Sequence, residues 1–416
     1  MAGAWNGFLR REFDAEQCQY EGWVTRQSLP VRNELKSRAE ITAVVAAANA
    51  AAVDRDARYP DEAIASARTQ RLLGILVPPD LGGEGASISD VVDTCYVLGR
   101  SCASTAMIYA MHQIMVACLI RHGRSSQWHT SFLQHLCAKQ QLLASSTTEG
   151  QGGGDLRASV CAVEQQESRI TLTKSATVMS YGAQADGILT TARRSLEAES
   201  SDQVLVALSK EDYRLERLVG WDTLGMRGTC SAGFMLKANG EVDQILPVSY
   251  QQVHAHTMMP VAHLTWSGVW AGVAADAVDR ARRFIREAAR HGRGQLPPGA
   301  AHLTRASASL RMLRGVVASA LQRYEFISSD DSEPESLDFQ TTMNLLKVNA
   351  SELAISTVMS SLQACGLAGY RNDGEFSITR HLRDILSSPI MINNDRILAN
   401  ATSAALLVEV PKALRD

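Results

Sequence analysis

Proton transfer near neutral pH needs an imidazole or an environmentally tuned carboxyl, and the chain offers few of either in apolar surroundings. His263 stands just before Trp266 and Trp270; its ordinary pKa, about 6.5, suits a general base, and the same position also reads as a histidine packed at a helix start. His112, after Met107-Ile-Tyr-Ala-Met111, faces a substrate cavity or is a satisfied core histidine. Asp395 follows Asn394 in a pair that either caps a helix or presents a carboxylate. Gly150-Gln-Gly-Gly-Gly-Asp155 lets backbone N–H groups approach an anion closely, or simply turns a hairpin. Its spacing and setting are not those of a dinucleotide-binding G-x-G-x-x-G turn. The eight cysteines are scattered, without a C-x-x-C pair or metal-like spacing to histidine, and read as reduced thiols.

The elements that must position these groups come in three blocks. From about Asn33 to Lys139 the chain is alanine-rich and helical in period, broken at Tyr59-Pro60, Pro78-Pro79 and Gly82-Gly83. Between Gln141 and about Val248 short β-branched runs such as Arg169-Ile-Thr-Leu-Thr alternate with Gly, Asn and Asp. Helical patterning returns from about Ala262, interrupted by an acidic stretch from Ser328 to Asp338 that reads as a solvated loop. Helices, then strands, then helices make a segregated α+β protein, not a doubly wound parallel sheet. With 416 residues, two or three packed regions are expected. The boundaries read as an extension over 1–32, a helical domain over 33–140, a β domain over 141–250 and a helical domain over 251–416. A net charge of -3 gives no general attraction to nucleic acid or anionic lipid. The apolar run Ile41–Val53 is too short for a membrane span, and a charged N-terminus argues against export, so a cytoplasmic enzyme is expected.

Four groups of motifs, in order, resemble the acyl-CoA dehydrogenase family over most of the chain. Asp54 to Pro60, Gly74-Ile-Leu-Val-Pro78 and Leu81-Gly-Gly83 resemble its spaced D, P, G, P and GG signature. Thr148-Glu149 with the glycines through Asp155 resembles T-E-x-x-x-G-S-D, Gly154 replacing the serine. Val178-Met179-Ser180-Tyr181, continuing to Ala185-Asp186, is similar to W-I-T-N-x-x-x-A-D, Val178 replacing a tryptophan; Trp221-Asp-Thr-Leu-Gly-Met-Arg-Gly-Thr229 with Ser231 matches the closing β segment most closely. Gln363-Ala-Cys-Gly366-Leu-Ala-Gly369-Tyr370 resembles Q-x-x-G-G-x-G-Y. The resemblance implies a helical N-terminal domain, a middle β-barrel and a C-terminal four-helix bundle. It implies FAD, with contacts from Thr148, Gly153, Gly154, Met179, Ser180 (at flavin N5), Arg290 (or Arg286), Gln363, Gly366 and Asn394. It also implies a homo-oligomer, a dimer of dimers in which the Gln363 segment reaches a neighbour's flavin.

The resemblance fails at the base. Relatives carry a glutamate shortly after an Arg-Asp pair; here Arg383-Asp384 leads to Ile392 at that position, and the alternative glutamate position falls on Ala262. His263 and Asp395 are the remaining candidates for catalysis. The expected activity is α,β-dehydrogenation of an acyl thioester, on CoA or a carrier protein, with a non-standard base and an electron-transfer partner. The alternative is a monooxygenase on the same fold, fed reduced flavin chemistry by a reductase. A non-catalytic acyl-binding protein would not need Thr148, Ser180 and Gln363.

Overall fold

Alanines recurring on one side of a helix permit close approach of its neighbours, and this governs the first unit. The computed structural model describes residues 29–149, 158–327 and 336–406. Helix α1 (Leu29–Arg55) buries Ala39, Ala43, Ala46, Ala50 and Val53, whereas Ile41 and Val44 are 50% and 71% exposed, so the apolar run noticed in the sequence is one amphipathic helix. α2 (Asp61–Thr69) and α3 (Ile88–Gly99) pack on it, α4 (Ala103–Gly123) packs on α3, and α5 (Gln127–Lys139) on α4. A reciprocal cap starts α3: the Asp90 N–H donates to Ser87 Oγ and the Ser87 N–H to the Asp90 carboxylate. Among the described residues α4 alone is long and apolar enough to cross a bilayer, and 83% of its apolar window is buried inside the fold.

Seven strands follow: β1 (Leu143–Ser146), β2 (Glu164–Gln166), β3 (Arg169–Ala176), β4 (Gly187–Arg193), β5 (Gln203–Ser209), β6 (Tyr213–Val219) and β7 (Gly233–Glu241). They make a three-stranded sheet, β1-β4-β5, with β1 parallel to β4, and an antiparallel four-stranded sheet, β2-β3-β7-β6. Isolated bridges, Ala162 to Arg193 and Val206 to Ile245, join further chain to the first sheet. β3 alternates strictly between exposed and buried positions, and Lys174 falls on its inward face. There its ammonium donates to the Thr191 carbonyl and hydroxyl at 2.7 Å, with the Glu149 carboxylate 3.5 Å away. Glu149 in turn accepts from Ser159 Oγ and the Val160 N–H, so the acid of the Thr148-Glu149 motif is held inside the β domain.

The last block contains α6 (Tyr250–Val253), a π-helical turn (His254–Met258) and the long helices α7 (Met259–His291), α8 (Ala300–Ile327) and α9 (Leu337–Cys365). Short α10 (Leu367–Tyr370), α11 (Thr379–Ile385) and α12 (Asn394–Ala405) pack back on this bundle. α7 touches α3 and α4 of the first block as well as α8, α9 and α11 of its own; a Cβ at Gly272 would lie 2.3 Å from the Tyr96 carbonyl oxygen, so α3 and α7 are in backbone contact.

Motifs far apart in sequence meet at one junction. The Trp221–Thr229 turn rests on α11: the Met226 N–H, in the left-handed region (φ 53°), donates to Asp384 Oδ1 at 2.7 Å. Arg227 Nε donates to the Asp54 carbonyl, and Arg383 pairs with the Asp54 carboxylate. Burial raises the Asp384 carboxyl from 3.8 to about 6, against the opposing pull of the Met226 N–H. A folded-state pKa above the unfolded one means that the native protein holds this proton more tightly, so stability is lost as pH rises from about 4 through about 6. Asp384→Asn keeps an acceptor for Met226 and removes that penalty. It is expected to flatten the pH dependence over this window and to raise stability at pH 8 by about 1–3 kcal/mol in denaturant melts. A less stable variant at pH 8 would show that Arg380 and Arg383 hold the carboxylate ionised.

Candidate active site

A cavity of about 510 Å³ opens where the three blocks meet. α4 supplies Met111, Ile114 and Met115; β1 and the residue after it supply Ser145 and Thr147. Tyr250, His254 and Met258 come from α6 and the π turn, and Ala262, His263 and Trp266 from α7. Gln340 and Asn344 of α9, then Ile392, Arg396, Ile397 and Asn400, complete the wall. A π turn inserts one residue into a helix and re-aims its side chains, a device frequent at functional sites. No carboxylate lies among the described lining residues.

His263 is 2% exposed, and its Nδ1 lies 2.9 Å from the Met343 carbonyl oxygen. A carbonyl only accepts, so Nδ1 carries the proton and Nε2 keeps the lone pair. Burial, with Lys347 and His254 nearby, pushes its pKa down to about 3, so the ring is neutral and accepts protons poorly. Asp395, by contrast, is exposed in the first turn of α12, its N–H donating to Asn393 Oδ1, and does not line the cavity. His112 is fully buried: Nε2 donates to the Leu73 carbonyl and Nδ1 accepts the Leu143 N–H. Both ring nitrogens are satisfied, and the imidazole fastens β1 to the helical block.

Ile392 lies in the cavity wall with φ 50°, a region that a β-branched residue occupies only under strain. The next helix is tied down by a buried polar chain. Lys347 Nζ donates to Asn394 Oδ1 at 2.7 Å, Asn394 Nδ2 to Ser351 Oγ at 2.9 Å, and Ser351 Oγ to the Val348 carbonyl. Both ends of the Asn394 amide are therefore engaged within the protein. Burial lowers the Lys347 ammonium to about 8, and the Trp270 ring sits 6.0 Å from it.

Near the β domain, three hydroxyls form a directed row. Thr229 Oγ1 donates to the Met226 carbonyl at 2.8 Å; Ser231 therefore donates to Thr229 at 2.7 Å, and Ser180 to Ser231 at 2.8 Å. Each hydroxyl has one hydrogen, so Ser180 Oγ is left with acceptor capacity only. Met179 is fully buried against Gly182, its N–H donating to the Ala232 carbonyl. Thr148 is half-buried beyond β1, while Gly153 and Gly154 lie outside the described residues. Arg290, in the last turn of α7, and Gln363 and Gly366, at the end of α9, are exposed and do not line the cavity. Gly366 has φ 55°.

Two family models, described as the acyl-CoA dehydrogenase N-terminal and C-terminal domains, match residues 34–140 and 255–407. The chain belongs to the acyl-CoA dehydrogenase family. Like that family it is an oxidoreductase, and its cofactor is a flavin. It is 24% identical to the cyclohex-1-ene-1-carbonyl-CoA dehydrogenase of Geobacter metallireducens over 85% of this chain and 92% of that one. It is 26% identical to the L-evernosamine nitrososynthase of a Micromonospora species over 83% of this chain and 82% of the other. Its fold superimposes on FMN-bound TdsC from Paenibacillus sp. A11-2, a dibenzothiophene monooxygenase, with a TM-score of 0.80 at 17% identity, covering 91% and 98% of the two chains. The residues of this acyl-CoA dehydrogenase fold suit a flavin: Ser180 presents a buried acceptor, the buried Ser146 hydroxyl has no partner within the described residues, and Thr148 follows two residues on. Lys347, the π turn and the Ser180-Ser231-Thr229 row were not apparent from the sequence. A lysine within the apolar α9 pattern was the one available hint.

Proposed function

We propose that this member is a flavin-dependent monooxygenase acting on a small polar or heteroatom-bearing substrate. The observation that carries the proposal is the cavity wall: Ile392 and Ala262, which the motif count sets at the relatives' glutamate positions, are both in it, and no described lining side chain is a carboxylate. Removing a carbon-bound proton next to a thioester carbonyl needs a base, and a neutral His263 with a conjugate-acid pKa of about 3 is a poor one. A flavin bound here would supply the redox chemistry, including activation of dioxygen after reduction by a reductase. The methionines and Ile114 exclude water from the reacting face, while His263 Nε2, Gln340 and Asn344 orient a substrate by hydrogen bonds. Ser180 Oγ, an acceptor only, favours a cofactor N–H over a lone pair at its contact.

We take the flavin to be FAD, because the partly exposed Gln363–Tyr370 segment resembles the element that relatives place against the FAD of a neighbour in a dimer of dimers, with Arg290 as a candidate for the pyrophosphate. Leu367 and Tyr370 beside Gln363 are 74% and 72% exposed, an apolar surface suited to burial between copies. The mass of the flavin released by heat decides between FAD and FMN. The cytoplasm suits a chain with free thiols throughout its described residues. Acyl thioester dehydrogenation is the second reading, favoured by the length of the match to acyl-CoA dehydrogenases.

Mixing the oxidised holoprotein anaerobically with a set of acyl-CoAs should bleach the flavin only very slowly. The reduced holoprotein should instead consume oxygen and convert an amine or sulfur substrate to an oxygenated product. Fast bleaching by any acyl-CoA would move the assignment to the second reading.

A further inference from the structure

A second cavity, about 1160 Å³, lies between α1, the end of α3, the Thr223–Arg227 turn and α11, and shares no lining residue with the first. Six arginines and three carboxylates, Glu40, Asp54 and Asp276, line it, an excess of three positive charges in a chain of net charge -3. Internal contacts account for only some of that charge. Arg383 pairs with Asp54, Arg280 with Asp276, and Arg55 with its neighbour Asp56. Arg227 reaches the exposed Asp222. Among the described residues Arg380 donates to the Ser101 carbonyl at 3.2 Å and feels Asp384 through space without pairing to it, and the Arg100 side chain is exposed with no partner. His381, 4% exposed, directs Nε2 at Asp276, while its buried Nδ1 is unpartnered. Facing these groups, Ala43, Ala47 and Ala51 of α1 form a shallow apolar wall, with Leu224 61% exposed beside it.

Two guanidiniums without carboxylate partners in an open cleft match phosphate oxygens, which they can bind in a forked geometry. An apolar wall of small side chains opposite leaves room for a flat ring. We propose that this cleft binds a phosphate-bearing small molecule of nucleotide size, with its phosphates on Arg100 and Arg380 and its apolar part against α1. The proposal is independent of the reaction assigned to the first cavity.

Calorimetric titration of the full-length, flavin-loaded protein with inorganic pyrophosphate, and separately with ADP, tests it. Saturable binding of one ligand per chain is expected, weakened at least ~10-fold by Arg380→Gln. Ala47→Glu, at an exposed position of α1, should weaken it similarly without disturbing the fold. Arg396→Gln, in the first cavity, should leave it unchanged. ADP binding more tightly than pyrophosphate identifies the nucleoside as part of the ligand; equal affinities confine recognition to the diphosphate. The absence of saturable binding, retention in both Arg380→Gln and Ala47→Glu, or loss in Arg396→Gln overturns the proposal.

Discussion

Ile392→Glu should accelerate anaerobic flavin reduction by an acyl-CoA about 10²- to 10⁴-fold, equivalent to roughly 3 to 5 kcal/mol of barrier. Residue 392 is already in the cavity wall, in a turn whose next residue, Asn393, also has positive φ, and the Lys347-Asn394-Ser351 chain fixes the helix that follows. A carboxylate there enters a wall that has none. Partial burial will raise its pKa, which suits a base so long as it remains substantially ionised at the assay pH. Removing the β-branch at φ 50° eases the backbone strain in part, but a buried carboxylate whose pKa is raised costs stability at neutral pH, so the melting temperature should fall modestly while flavin stays bound. Stopped-flow bleaching of the flavin measures the effect. A variant that binds flavin normally but reduces no faster would place the acyl carbon elsewhere in the cavity.

The largest structural effect is expected from Gly225→Ala. An added Cβ would lie 2.1 Å from the Arg383 carbonyl oxygen and 2.6 Å from the Asp384 nitrogen, both backbone atoms that cannot swing aside. The turn must lift from α11, and the buried Met226-to-Asp384 hydrogen bond is lost with it. A cost of about 3 kcal/mol or more is expected. Because the same turn anchors the Thr229-Ser231-Ser180 row through the Met226 carbonyl, flavin should also be held less tightly. Differential scanning calorimetry and flavin retention after desalting report the two effects separately. An unchanged melting temperature would mean that the turn does not rest on α11 in solution.

That junction shows how far the sequence could be read. Asp54 and Arg383-Asp384 each could serve as an ordinary surface pair, whereas Trp221–Thr229 matched the family segment most closely. They are informative together, because the fold brings all three into one set of contacts. The succession of helices, strands and helices was legible for a simpler reason: periods of 3.6 and 2 are local properties. Ile392 and Ala262 were picked out by counting from nearby motifs, and both line the cavity. What was not legible depended on long-range packing. His112 could be resolved as a structural clamp only once Leu73 and Leu143 were seen on opposite sides of its ring. The same holds for His263, whose proton position follows from a carbonyl 80 residues away in sequence. Lys347 is charged, yet it lies fully inside the bundle, because Asn394 and the Trp270 face receive its ammonium.

The π turn at His254–Met258 sets the phase between α6 and α7, and so which side chains face the cavity. One residue added to a helical turn rotates everything before it by about 100° relative to everything after it. Deleting Ala255 would turn Tyr250 and Gln251 off the cavity face while α7, with His263 and Trp266, stayed in phase with the bundle. A single codon gained or lost at this joint therefore exchanges one wall of the site for another set of side chains. The cofactor side would be untouched, which offers a route by which one scaffold acquires different substrates without rebuilding its core.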